Sequence, residues 1–171
     1  MFGRLCQNFG RKSRFLNAET KTGSAFPRNS GAGPVNTYED SYKLPNKDEL
    51  MNKIQESKYF SKFDCKSEFW QIRLAEESIK WIAFIYPEGH FEWLVMPFGL
   101  KNAPSIFQRK MDQIFKKYDN FCSVYVDDIL VHSKNKNEQR KHLEIILKEF
   151  IGNGNGIVIS RNKVELEKQD I

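Results

Sequence analysis

Apolar residues recur at helical spacing in three parts of the chain. Within residues 102–118, Ala103, Phe107, Met111, Ile114 and Tyr118 fall three or four positions apart, with Asn102 at the cap and Pro104 in the first turn. That pattern predicts the strongest helix of the sequence, with its stripe facing a core. Leu143, Ile146, Leu147 and Phe150 predict another over residues 137–151, ended by the glycine-rich residues 152–156. Asn46 followed by Glu49 reads as a capped start, with Leu50, Met51 and Ile54 as a stripe running to about Ser57. Between these lie apolar runs of strand length. Residues 59–65 read as a strand with Asp64 at its C-terminal end, and residues 81–86 and 91–96 as a hairpin of mostly buried strands joined by Pro87-Glu88-Gly89-His90. Residues 122–133 give two short strands around Asp127-Asp128, and residues 157–160 a last one. The order helix, strand, hairpin, helix, hairpin, helix, strand predicts an α+β fold, an antiparallel sheet with helices packed on one face.

At 171 residues, 40% hydrophobic and 13% aromatic, the chain can bury one ordinary core. Residues 23–34 have a linker composition, so residues 1–36 are expected to be an unstructured leader and residues 37–171 the folded domain. The net charge of +5 belongs to that leader: Arg4, Arg11, Lys12, Arg14, Lys21 and Arg28 stand against Glu19 alone. The other residues carry 21 basic and 21 acidic side chains, from totals of 27 and 22. Attraction of the folded part to a polyanion must therefore come from local patches, with the leader adding a salt-sensitive contribution. The leader is also short of acids, as organellar transit peptides are, but it lacks their amphipathic helix. Cys6, Cys65 and Cys122 are odd in number and form no Cys-x-x-Cys pair, which argues against a disulfide framework and a zinc site, and for a reducing, intracellular setting. No apolar run approaches the roughly 18 to 20 residues that span a bilayer.

Candidate chemistry centres on Tyr125-Val126-Asp127-Asp128, set in an apolar hairpin. Burying uncompensated charge is costly, so adjacent carboxylates either face water in a tight turn or hold a cation, and the hard cation that suits carboxylate oxygens is Mg²⁺. Asp64, at another strand end, either terminates that strand or joins them. Carboxylates from separate segments that bridge two cations roughly 3.5 to 4 Å apart are what metal-assisted phosphoryl transfer requires. His90, His132 and His142 have no ligand spacing among themselves, so surface or packing roles are expected.

The segments Phe63-Asp64-Cys65-Lys66-Ser67-Glu68-Phe69-Trp70-Gln71-Ile72, Met96-Pro97-Phe98-Gly99-Leu100-Lys101-Asn102-Ala103-Pro104-Ser105-Ile106-Phe107-Gln108 and Tyr125-Val126-Asp127-Asp128 resemble the three successive palm motifs of reverse transcriptases. The likeness runs from about Tyr42 to Ile171. It is nearest to the polyproteins of plant pararetroviruses, the caulimovirus group, with the Ty3/gypsy retroelements next. The resemblance implies a reverse-transcriptase-like palm using two Mg²⁺ ions, or Mn²⁺, with dNTPs and an RNA or DNA template-primer as partners. It implies that Asp64, Asp127 and Asp128 are the metal-site carboxylates, Asp64 and Asp127 binding directly. Phe69 would lie against the sugar of the incoming nucleotide and exclude a 2′-hydroxyl, the amides of Ser67 and Glu68 would approach the triphosphate, and Tyr125 would lie against the primer end. Phe98 and Gly99 would shape the floor beneath the template base. Lys163 matches a lysine near the leaving pyrophosphate, against the competing reading of a solvated lysine in an exposed basic run.

The chain departs from that pattern in three places. Glu68 stands where the family usually has glycine, and a carboxylate there opposes a triphosphate. The residues before Tyr42 do not resemble the fingers segment, and the sequence stops short of the primer grip, thumb and RNase H regions. The expectation is a polyprotein fragment, truncated at both ends, with little activity of its own. The alternatives are an inert retroelement relic and a nucleic-acid-binding module without polymerase activity.

Overall fold

The computed structural model describes residues 39–87, 89–152 and 156–169. The leader, its linker, Cys6, Glu88 of the first hairpin and the glycine-rich end of residues 153–155 lie outside the described residues. The chain enters through α1 (Lys47–Ile54), whose cap Asn46 accepts a hydrogen bond from the Asp48 amide at 2.9 Å. Satisfying one orphan amide is what fixes this start. The stripe expected here is only partly used: Leu50 and Ile54 are half-buried, Met51 is 60% exposed, no residue of α1 is fully buried, and the helix stops at Ile54 rather than Ser57. At eight residues it lies on the surface, tied down by Lys53 to Asp119 at 2.6 Å.

β1 (Tyr59–Asp64) follows, then a 3-10 turn (Glu68–Gln71), α2 (Glu76–Ile79), β2 (Phe84–Tyr86), β3 (Gly89–Phe91), α3 (Ala103–Phe115), β4 (Cys122–Tyr125), β5 (Asp128–Ser133), α4 (Lys136–Gly152), a second 3-10 turn (Arg161–Lys163) and β6 (Glu165–Lys168). The main sheet runs β4-β5-β1-β6 and every pairing is antiparallel. Alternation gives its two faces different jobs. Phe63, Cys122, Val124, Ile129 and Val131 point to the helices and join Phe107, Met111, Ile114 and Phe115 of α3 and Leu143 and Ile146 of α4 in one buried cluster. The other face carries Asp64, Tyr125 and Asp128.

Two strand expectations need correction. The hairpin β2–β3 forms, but Trp81 lies in a preceding 3-10 turn with 78% of its surface exposed, and Ile85 is also open to solvent. The pair stands apart from the main sheet and, among the described side chains, buries Phe84 and Phe91 with Trp93, beyond the strand, in a satellite cluster. Residues 157–160 are not a strand either. They cross the end of β1 with a single bridge, Cys65 to Ile159, and the final strand is β6, whose alternating charges gave no apolar pattern to read. Asn102 precedes α3 without a side-chain cap; its Oδ1 accepts from the Asp40 amide instead.

Candidate active site

β4 and β5 are joined by the two-residue turn Val126-Asp127, with Tyr125 paired to Asp128. Such turns want a positive φ at their first position, which normally selects glycine. Val126 adopts φ 52° nonetheless. A β-branched residue in this region is strained by about 1–3 kcal/mol. Two features hold it: the Val126 side chain packs on the core, and its amide donates to Gln108 Oε1 at 2.6 Å. Gln108 is fully buried on α3, and its Nε2 donates to Asp112 Oδ1 at 2.8 Å and to the Val124 carbonyl at 3.3 Å. The tip of the turn is fixed from the other side by the Cys65 amide, which donates to the Asp127 carbonyl at 3.0 Å.

This geometry brings together carboxylates from two segments. Asp64 and Asp128 are directly opposed on β1 and β5, and Asp64, Asp127 and Asp128 each offer an oxygen within 4.8 Å of the others'. Like charges so placed repel. Two lysines offset them: Lys62 Nζ lies 3.0 Å from Asp128 Oδ1, and Lys163 Nζ lies 3.0 Å from Asp64 Oδ2. Lys163 reaches Asp64 because the Ser160 amide donates to the Asp64 carbonyl at 2.8 Å and the following 3-10 turn aims the side chain back. Asp64 raises the affinity of Lys163 for its proton through that contact.

Negative charge is still in excess. Burial, then Asp128 and Asp64, push the Asp127 carboxyl above the usual range, against its own backbone amide and Lys163. Glu68 is pushed up in the same way, by burial first and then by Asp127 and Asp64, so its carboxylate lies within their field. Cys65 and Cys122 are buried, with thiols pushed up to about 12, Cys65 by burial and then by Asp127, Asp64, Glu68 and Asp128, Cys122 by burial and Asp119. Both are free and unreactive. An electronegative cluster of hard oxygen donors, with ammonium groups against two of its members, fits a hard divalent cation.

Around the carboxylates, Ser67 takes a left-handed conformation (φ 51°) between β1 and the turn Glu68–Gln71. Gln71 staples that turn to the crossing segment: its Nε2 donates to the carbonyls of Lys66 at 2.6 Å and Val158 at 3.0 Å, and its Oε1 accepts from the Val158 amide at 2.8 Å. The Phe69 ring packs at 5.1 Å from Phe98 and 5.9 Å edge-on to Phe107, and Gly99 follows with φ 92°. Tyr125 is half-buried, with Lys47 5.5 Å above its ring. His132 is buried between Ser57 and Ser123, and His142 stacks on Phe121, so both serve packing.

Lys62, Gln71 and Gln108 were not singled out in the sequence. Gln108 had a signal: it lies three residues before Met111 and seven before Phe115, on the apolar side of α3, where a polar side chain requires partners. Lys62 and Gln71 had none, since their partners are set by strand register and by a distant crossing segment.

The sequence matches the family described as reverse transcriptase (RNA-dependent DNA polymerase) over residues 24–171. It is 53% identical to the enzymatic polyprotein of cauliflower mosaic virus (strain Strasbourg) over 135 residues, 79% of this chain and 20% of that protein. To polyprotein P3 of Commelina yellow mottle virus it is 46% identical over 136 residues, 80% of this chain and 7% of that one. The chain thus spans a fifth or less of the length of these curated relatives. Among solved structures, the foamy viral protease-reverse transcriptase in complex with RNA/DNA hybrid superposes with a TM-score of 0.65 at 26% identity, covering 74% of this chain and 17% of that chain. The same viral protein in complex with double-stranded DNA gives a TM-score of 0.70 at 24% identity over 77% of this chain and 23% of that one, a likeness of fold.

Proposed function

The chain belongs to the reverse transcriptase family, and from that premise we propose that residues 37–171 form the palm part of an RNA-directed DNA polymerase, following a basic leader, residues 1–36. The reaction is nucleotidyl transfer from dNTPs to a primer on an RNA or DNA template. The observation that carries this reading is the convergence of Asp64, Asp127 and Asp128 at the strand ends of one sheet face.

In this reading Asp64, Asp127 and Asp128 hold two Mg²⁺ ions, or Mn²⁺, with Asp64 and Asp127 as direct ligands. Bound there, the ions lower the pKa of the attacking primer hydroxyl and neutralise charge on the transferred phosphoryl group. The protein's own residues position and select. The amides of Ser67 and Glu68 face the triphosphate, and the left-handed conformation of Ser67, of the kind found in anion-binding backbone nests, supports that. Phe69, braced by Phe98 and Phe107, blocks a 2′-hydroxyl by volume and offers it no hydrogen-bonding partner. Phe98 and Gly99 form the floor beneath the template base, where a residue without Cβ allows close approach. Tyr125, on the face that carries Asp128, lies against the primer end. Lys163, already at Asp64, donates a proton to the departing pyrophosphate.

The test is Mg²⁺-dependent primer extension on an RNA template by the purified chain, beside the variant carrying Asp127→Ala and Asp128→Ala. Extension that disappears in the variant is the expected result. Equal extension in both would remove the carboxylates from the mechanism, and none from a folded wild-type chain would remove the polymerase reading. Glu68 favours a second reading for that last outcome: its carboxylate, in the field of Asp127 and Asp64, admits a cation and repels a triphosphate.

A further inference from the structure

Residues 39–46 run along α3 before α1 begins, and their contacts form a chain that ends at the carboxylate turn. Arg109 Nη2 pairs with Asp40 Oδ1 at 2.5 Å, while the Arg109 guanidinium lies 4.9 Å above the Tyr42 ring. The Tyr42 amide donates to Asp40 Oδ1 at 3.0 Å, closing a local turn. The Tyr42 hydroxyl donates to Asp112 Oδ2. Asp112 uses its other oxygen to accept from Gln108 Nε2, and the same amide group of Gln108 accepts from the Val126 N–H. Two further anchors fasten the segment, Lys101 to Glu39 at 3.0 Å and the Asp40 amide to Asn102 Oδ1 at 3.1 Å.

We propose that residues 39–46 are a strap that sets the geometry of the Val126-Asp127 turn, with Tyr42 and Asp112 as positioning residues acting through Gln108. An amide side chain in an apolar interior can rotate by half a turn and exchange its oxygen for its nitrogen. Only one orientation presents an acceptor to the Val126 N–H, and it is the orientation in which Nε2 meets Asp112. Asp112, held as an acceptor by the Tyr42 hydroxyl, therefore joins the more distant Val124 carbonyl in fixing which atom Gln108 turns toward Val126. The left-handed Val126 needs that acceptor more than an unstrained residue does, because its amide is partly buried. Docking of the strap and alignment of Asp127 and Asp128 become one event. The mechanistic meaning of this control rests on the carboxylates being metal ligands; the control itself does not.

The test uses the full-length, metal-free chain and reads backbone amide resonances. Tyr42→Phe removes only the hydroxyl and keeps the ring beneath Arg109. The expected result is displacement of the Val126 and Asp127 amide signals with those of β6 unmoved. Asp112→Asn, similar in volume, should displace the same signals, and adding Tyr42→Phe to it should displace them little further. Unmoved Val126 and Asp127 signals in both folded variants would overturn the proposal, as would full additivity in the pair. Should Tyr42→Phe fail to fold, Asp112→Asn alone decides. Mn²⁺ titration followed by paramagnetic relaxation supplies the second readout, with affinity in Tyr42→Phe expected to fall roughly 10-fold, the scale of outer-shell partners of a metal ligand. If Mn²⁺ binding in the wild type is indifferent to Asp127→Asn, the metal-site reading fails, and the amide signals still judge the strap.

Discussion

Glu68 is the residue at which this chain most plainly sets one demand against another. It opens the turn after β1, half-buried, and shares the field of Asp127 and Asp64. Its charge adds to what attracts a cation and to what repels an anion. Two unit charges about 4 Å apart at an effective dielectric near 20 oppose each other by roughly 4 kcal/mol. Glu68→Gly is therefore expected to tighten dNTP binding by about tenfold or more, a conservative share of that figure, and to weaken Mn²⁺ binding in the absence of nucleotide. Equilibrium binding of each ligand to the two proteins checks both directions. His132 makes a different prediction, for stability. Burial, then His142 and Lys53, hold its imidazole below the ordinary 6.5, so the unfolded chain binds the proton more readily. Stability from this residue is complete above about pH 6.5 and is lost as pH falls below it. Urea midpoints should drop between pH 7.5 and 5.5, and His132→Gln should flatten that drop; an unchanged slope would show that another group titrates there.

At the scale of elements, α3 carries two functions on adjacent positions. Phe107 is fully buried in the main cluster, and truncation to alanine is expected to cost about 3–5 kcal/mol. Gln108→Ala removes no comparable volume but leaves the Val126 amide unpaired, a loss of about 1–3 kcal/mol. Denaturant unfolding separates the two by size, and metal binding separates them by kind, since Gln108 hydrogen-bonds the backbone of the turn. The helix itself was legible, because Ala103, Phe107, Met111 and Ile114 repeat at its period and all are buried. So were β1, β4 and β5, which are apolar-rich segments of strand length. β6 was not, because Glu165–Lys168 has one apolar residue and takes its place through β1 and through the Glu167 amide donating to Ser61 Oγ at 3.0 Å. Residues 157–160 differ for the converse reason: an apolar stretch, with Ile157 buried and Val158 exposed, makes a single bridge just past the end of β1. In the site, the pairing of Asp64 with Asp128 follows from register, whereas the lysines and Gln108 answer to side-chain geometry that no spacing encodes.

Over the whole molecule, charge is divided more sharply than its sum suggests. The +5 equals the six basic less the one acidic residue of residues 1–36, and the remainder balances at 21 against 21. Within the remainder, about half of the basic groups are in ion pairs: Lys62 and Lys163 face Asp128 and Asp64, Lys117 faces Glu149, and Lys136 and Arg140 face Glu167. Cations already paired release few counterions when a nucleic acid arrives, and residues 1–36 carry six basic residues against one acid, so a large share of the salt dependence of binding should come from residues 1–36. Each phosphate neutralised contributes about 0.7 to 0.9 to the slope of log affinity against log salt, so replacing Arg11, Lys12 and Arg14 by alanine should reduce that slope by about 2 to 3. Anisotropy titrations of a labelled primer-template between low and physiological salt measure it directly. A slope that survives the triple substitution would move the phosphate contacts onto residues 37–171, either to basic residues outside the ion pairs or to Lys62 and Lys163 once their ion pairs open. Metal binding at the carboxylates would then displace these lysines and free them for phosphates, and adding Mn²⁺ should shift the slope.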